Sequence, residues 1–404
     1  MLPHLIRYRR SRSVRLIMFA VSLLILLSAG RMLFHPLDVS AESEETTVQR
    51  VGIKVEYPVP NGPVNVAWET PGRSWFTSPS EDMVGVVTRQ SNFDNELISV
   101  RVEYLALDRG SHPYDIAVGN GNAWLTLTGS NQVARFDLAT VASTGILTPT
   151  EYYDMPSADS APTGVAVDPD GMIWIVAANA PTLTRFDPSG ETFEQWSYAS
   201  NLASGGTVST SRTYPDVATN HAKQIWLTVP GSNRMLGFDV DAATFSSHSL
   251  DNVVFPASEP AGITVDNRPG GPWGDGGYPW ITAYDTGVVG RYAPGSLSGW
   301  EWFQTSSQDS GPRGIAFRDV SGSFELWYTE ENAGRVGRLV VSPSDYDLLG
   351  AFSIPQPAGS RPMGIVMGDD DTVWFAESGR ARISEISPPY VSITRLPVLV
   401  GGAP

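Results

Sequence analysis

The sequence has no cysteine in 404 residues, which removes disulfides, thiol nucleophiles and thiolate metal sites together. Histidine is nearly as scarce. Of the five, His4 and His35 lie in the N-terminal region, leaving His112, His221 and His248, too few for a histidine-rich metal centre. Basic charge is also short: 27 Lys and Arg face 43 Asp and Glu, a net charge of −16. Residues 1–41 hold six arginines and one aspartate, so residues 42–404 carry −21. Such a surface repels nucleic acid and anionic headgroups. There is no phosphate-cradling glycine loop and no Gly-x-Ser-x-Gly nucleophile elbow.

One apolar run stands out. Leu16–Gly30 has 15 residues and follows Arg7, Arg9, Arg10, Arg12 and Arg15. It is shorter than the roughly 20 residues that span a bilayer. Extending it to Phe34 crosses Arg31, which can snorkel. Val39-Ser40-Ala41 resembles a small-residue cleavage site. Residues 1–35 are therefore expected to engage the membrane as a signal peptide or an N-terminal transmembrane anchor, and residues 36–48 to be a polar linker. Either way the rest of the chain is expected outside the cytoplasm, extracellular, on the cell surface or in a periplasm.

What is abundant is turn chemistry, with 39 Gly and 31 Pro, and it is arranged in a repeat. Trp75, Trp124, Trp174, Trp226, Trp280, Trp327 and Trp374 open seven similar segments, spaced 49, 50, 52, 54, 47 and 47 residues apart. Each follows a proline-led apolar strand, as in Pro162-Thr-Gly-Val-Ala or Pro312-Arg-Gly-Ile-Ala. Eleven residues past the tryptophan an arginine often begins a third strand: Arg135, Arg185, Arg291 and Arg338. A turn and a fourth strand follow, as in residues 186–196. Four short strands per repeat of this length predict an all-β, seven-bladed β-propeller over residues 49–400, with four antiparallel strands per blade. Two segments compete for the outer strand of the closing blade, 54–60 and 392–397, and the C-terminal one is the favoured regular strand. Residues 198–214, leading into blade four, and 267–279, in blade five, are longer than the repeat requires. Trp273 in the second is a candidate recognition residue.

The first strand's start and the second strand's end share one propeller face. Glu330, three residues past Trp327, is expected to lie beside Arg313 on that face. A mouth of Arg313, Arg361, Glu330, Glu377, Asp216 and Glu259 is the candidate ligand-binding site, with His112 on the same rim. The alternative for Glu330 and Arg313 is a structural ion pair, and for His112 a loop histidine with a local hydrogen bond. Glu377, Glu330 and His112 are the candidates for catalysis. His221 and His248 are expected to face away from the axis. Asp168, Asp170 and Asp369 to Asp371 fall in turns between the first and second strands, where aspartate bonds to its own backbone, and no metal ligand set is assigned.

Pro-x-Gly-Ile-Ala, then Trp-Tyr-Thr-Glu, then Arg-Val-Gly-Arg-Leu at residues 335–339, resembles the streptogramin B lyase (virginiamycin B lyase) family across about 350 residues and all seven blades. The resemblance implies a propeller enzyme that opens a cyclic depsipeptide by Mg²⁺-assisted elimination. It implies a histidine after the strand-one proline of the penultimate blade, Glu-Pro-His before the last blade's first strand, with its glutamate as a metal carboxylate and its histidine as the general base, and a glutamate just past that blade's Trp-Phe-Ala. Here the first is Arg313 and the second reads Arg361-Pro362-Met363; only Glu377 stands in place. Arginine is not deprotonated at working pH and methionine takes no proton. Mg²⁺ is thus a cofactor by resemblance alone. The leading expectation is a monomeric binding or interaction propeller for a small molecule or an extracellular protein or peptide. The alternatives are a lyase with an altered site and a metal-dependent, lactonase-type hydrolase.

Overall fold

The structure, a computed structural model, describes residues 54–91, 97–221, 223–250, 258–266, 277–294, 299–320, 323–342 and 347–387. The leader, the linker, Trp273 and residues 392–397 lie outside these. Among the described residues no helix is long and apolar enough to cross a membrane.

The strands form seven four-stranded antiparallel sheets. Six are built from consecutive strands, in residues 66–106, 113–154, 162–197, 217–249, 260–304 and 312–355. The seventh takes Pro362–Met367, Val373–Glu377 and Arg382–Ile386, and its outer strand is Lys54–Pro58 from the other end of the chain. The seven-bladed propeller is therefore the fold, but the expected order of closure is reversed. The free edge of Arg382–Ile386 is taken by the N-terminal strand. The reason is in the side chains of that strand. Tyr57 stacks on Trp374, with ring centroids 5.5 Å apart, and donates a hydrogen bond to Glu385 at 2.6 Å. Lys54 and Glu56 reach Glu377 and Arg380.

Three features of the repeat now have physical causes. The seven tryptophans are at most 1% exposed and fill the wedge between blades. The eleven-residue spacing is a hairpin register: Trp124 faces Arg135, Trp174 faces Arg185, Trp280 faces Arg291 and Trp327 faces Arg338. Each guanidinium lies over its indole, 5.5–5.9 Å from the ring centroid. Asp168, Asp266 and Glu325 accept the indole N–H groups of Trp174, Trp280 and Trp327. Asp168 also accepts from the amides of Asp170 and Met172, so it is a turn residue.

The third feature is the threonine two residues past tryptophan. In five blades the innermost strand carries a register shift near its start, and in blade four it begins only at Val217; either way one amide is freed. The threonine hydroxyl accepts from that amide and donates to a carbonyl of the next blade. Thr126 bonds Asp115 N and Thr163 O, Thr228 bonds Asp216 N and Ala261 O, and Thr282 bonds Gly262 N and Arg313 O. Blade three has Val176 at this position, so valine fits it. Thr228→Val is accordingly expected to keep the fold while leaving one amide and one carbonyl unpaired, at a cost of about 2 kcal/mol. Urea denaturation of the two proteins checks it.

Candidate functional site: the mouth and the axial channel

The first strands converge on the axis so closely that most blades need glycine there. A Cβ on Gly314 would come within 2.5 Å of the Met363 carbonyl, and one on Gly262 within 2.3 Å of the Arg313 carbonyl. At the same level three blades carry Asn65, Asp115 and Asp216 instead. Asp216 belongs here by strand register, since Val217 faces Leu227 as Ile116 faces Leu125. These side chains line a cavity of about 70 Å³, room for a few waters. Tyr114 and Tyr214 stand over it with ring centroids 5.1 Å apart.

Each polar residue of this ring reaches the next blade. Asn65 donates to Tyr114 O at 3.1 Å, Asp115 accepts from Val165 N at 2.8 Å, and Asp216 accepts from Ile263 N at 3.2 Å. Burial, and then the charge of Asp216, push the Asp115 carboxyl well above the usual range. Burial pushes Asp216 up to about 6.

Above the channel, the residue before the strand-one proline is left-handed in one blade after another. The φ angles are 47° at His112, 56° at Ala161, 45° at Glu259, 63° at Gly311 and 46° at Arg361. This aims His112, Glu259 and Arg361 along the rim. His112 is tied locally: its amide donates to Asp82 at 2.8 Å and its Nδ1 lies 3.0 Å from Pro79 O. Glu259 pairs with Arg212 at 3.2 Å, and Arg212 also pairs with Asp285 at 2.8 Å. Arg361 pairs with Glu331.

Arg313 does not meet Glu330. Its Nε donates to Glu331 at 2.8 Å, its Nη2 donates to Arg212 O at 2.7 Å, and its guanidinium lies over the Tyr284 ring. Strand alternation is the cause. Adjacent residues point to opposite sides, so the glutamate on the mouth is Glu331. Burial alone would raise the Glu331 carboxyl. The charge of Arg313 and the hydrogen bonds from Arg361 and Arg313 outweigh it and hold it below its ordinary value. Glu330 is fully buried, accepts from Ser306 N at 2.7 Å, and is pushed up, chiefly by burial. Glu377, at the same repeat position, is also fully buried. It receives Lys54 at 2.7 Å, Arg380 at 3.1 Å and the Ser384 hydroxyl, so it fastens the closing strand. Burial would raise its carboxyl too, but the Lys54 and Ser384 hydrogen bonds bring it below the ordinary value.

Of the residues singled out in the sequence, the structure thus joins Arg313 and Arg361 through Glu331. It places Glu259 beside them on Arg212, Asp216 lower in the channel, and His112 at the corner of blades one and two. Glu330 and Glu377 stand behind the mouth in the blade interfaces. His248 sits on an outer strand against Tyr292, and burial lowers its pKa to about 4. The sequence does not single out Arg212, Tyr284 or Asp285. Glu331 was visible as the second member of the Glu330-Glu331 pair, and Arg212 lies in the long segment 198–214.

The donor set does not fit the Mg²⁺ that the resemblance implies. Arg361 puts a cation where a metal carboxylate is expected, and Glu377 is already held by an ammonium and a guanidinium. Among the described residues no group of three or more His, Asp or Glu is placed to hold a metal ion.

Comparison with known proteins agrees with the fold. The sequence profile of the Virginiamycin B lyase family matches residues 41–273, ending in blade five. No curated protein matches the chain. Among solved structures, virginiamycin B lyase from Staphylococcus aureus is similar at a TM-score of 0.61 and 21% identity, over 83% of this chain and 99% of that one. A streptogramin B lyase is similar at 0.62 and 18%, over 83% and 97%. A catalytically inactive histidine-to-alanine variant of the S. aureus enzyme with quinupristin is similar at 0.62 and 21%, over 83% and 99%. At these identities the likeness concerns the fold.

Proposed function

The chain belongs to the virginiamycin B lyase family, and from that premise we propose that it is an exported propeller whose mouth binds a ligand without cleaving it. The observation that carries this reading is the Arg313–Glu331–Arg361 triad. Arg313 stands where the resemblance puts a histidine and Arg361 where it puts a metal carboxylate, while Met363 stands where it puts the general base. An elimination needs a group that takes the proton beside a carbonyl. Both arginines are permanently charged donors, and Met363 has no basic atom. Glu331 is ionised but spends its oxygens on two guanidinium groups, which makes it a poor base. The same triad favours recognition: it fixes polar groups on a rigid ring, beside the Tyr114, Tyr214 and Tyr284 rings. The basic leader and the acidic remainder support export. The partner is a small molecule or an extracellular peptide.

The test is to incubate the full chain with quinupristin and Mg²⁺ and follow the ring by mass spectrometry. The expected result is intact ring at high protein concentration. Linear elimination product, formed with Mg²⁺ and lost with chelator, would sink the binding-only reading in favour of a lyase with an altered site.

A further inference from the structure

Two guanidinium groups meet on one carboxylate at the mouth. The Glu331 side chain is 3% exposed, and its two oxygens are taken by Arg313 and Arg361. One negative charge faces two positive ones, so one cation is left over. Among the described residues the neighbouring carboxylates are engaged elsewhere. Glu259 and Asp285 pair with Arg212. Glu330 and Glu377 turn into the blade interfaces, towards Ser306 N and Lys54. Asp115 and Asp216 turn to backbone amides lower in the channel.

The surplus cation is accessible. The Arg361 side chain is 63% exposed and donates only through Nη2, to Glu331, which leaves its Nε and Nη1 without a partner among the described residues. Arg313 spends Nε on Glu331 and Nη2 on Arg212 O, and its Nη1 has no such partner either. That nitrogen is not among the buried unpaired ones, so it meets solvent. Arg313 lines the channel cavity together with Tyr114 and Tyr214. Its two hydrogen bonds and the Tyr284 ring hold it in place, so the free donor is set before any ligand arrives. A guanidinium offers its N–H groups as a planar fork that matches the two oxygens of a carboxylate. One surplus charge suits a monoanion, whereas a phosphate dianion would leave the mouth negative on a chain whose net charge is already −16. Next to the free Nη1, the Tyr114 and Tyr214 rings meet edge to face, and Tyr214 is 37% exposed. They offer apolar surface to a flat body joined to the carboxylate.

We infer that the mouth binds a carboxylate, received by Arg361 and by Nη1 of Arg313, with the body attached to it lying on the Tyr114 and Tyr214 rings. The inference rests on the reading of the mouth as a binding site and names its ligand's chemistry. The carboxylate belongs either to a free aryl acid or to the C-terminus of a peptide.

Saturation-transfer NMR on the full chain tests it with phenylacetate, phenylacetamide, and acetyl-Gly-Phe as the free acid and as the amide. Both acids are expected to receive saturation, and both amides to bind at least about tenfold more weakly. Inorganic phosphate should displace phenylacetate only when in large excess. Arg361→Gln leaves Glu331 with one guanidinium and removes the surplus cation, so it should weaken the acids by roughly tenfold or more. Arg361→Lys keeps the charge without the fork and should lose less. Arg101→Gln removes a comparably exposed arginine from the outer strand of blade one and should leave affinity unchanged. A peptide acid bound more than about tenfold tighter than phenylacetate assigns the C-terminal source, and any smaller preference the free acid. Equal signals from phenylacetate and phenylacetamide, acid binding indifferent to Arg361→Gln, or phosphate binding tighter than phenylacetate would overturn the inference. Loss of acid selectivity with quinupristin intact overturns the carboxylate alone. Ring opening with acid selectivity intact overturns only the binding-only reading.

Discussion

Tyr57→Ala is expected to destabilise the propeller by about 3–5 kcal/mol. The residue is 1% exposed and sits on the strand that closes the ring. Its ring lies nearly parallel to Trp374, with an interplanar angle of 15°. Truncation would open a cavity against the last blade's tryptophan, beside Val66, Phe76 and Ile383 of the same cluster. The phenol also donates to Glu385, which is held as well by Arg89 and by the Ser387 hydroxyl, both at 3.1 Å. Glu385 is fully buried, and burial raises its carboxyl, so losing a donor there adds to the cost. Tyr57→Phe keeps the packing and should cost only about 1–2 kcal/mol. The difference separates packing from hydrogen bonding. Urea denaturation reads both. A loss under about 1 kcal/mol for the alanine variant would mean that another segment can cover the same edge, and residues 392–397 would be the first to examine.

That closing strand shows where the sequence was legible and where it was not. The tryptophan repeat specifies seven blades because each blade must solve the same packing problem, and the same solution recurs as the same letters. Closure happens once, so it has no repeat to be read from. Residues 54–60 and 392–397 both have strand-like alternation. The choice rests on contacts more than 300 residues apart, Lys54 with Glu377 and Tyr57 with Glu385, which no local pattern encodes. The mouth divides in the same way. Arg313 and Arg361 were legible because they break repeat positions. Glu331 rather than Glu330 was decided by strand alternation at the last residue of a strand, where boundaries are least certain. The paired aspartates of the channel were hidden by an offset. Pro215-Asp216 looks like Pro113-Tyr114 in the sequence, but the register sets Asp216 level with Asp115.

Asp216→Asn is expected to make the folded protein more stable at pH 8, by about 1–3 kcal/mol, and to lose that advantage near pH 4. An aspartate in the unfolded chain ionises near 3.8, whereas burial holds Asp216 at about 6. Between those values the folded state binds more protons than the unfolded state. Stability therefore falls as the pH rises through that window and stays lower above it. Below about pH 4 the group is protonated in both states and the penalty vanishes. Asparagine has no proton to lose. Its one amide oxygen can keep only one of the two bonds Asp216 makes now, from Val217 N to Oδ1 and from Ile263 N to Oδ2, which takes about 1 kcal/mol from the gain, and Asn65 shows that an amide is tolerated at this level of the ring. Asp115 would also gain, because the Asp216 charge is its second source of upward shift after burial. Asp216 keeps some contact with the channel cavity, and screening there favours the lower half of the range. Thermal unfolding of both proteins from pH 4 to pH 8 measures the effect. A variant less stable than its parent at pH 8 would show that the charge at this position is already compensated, and that the bare, buried pair is the wrong description of the channel.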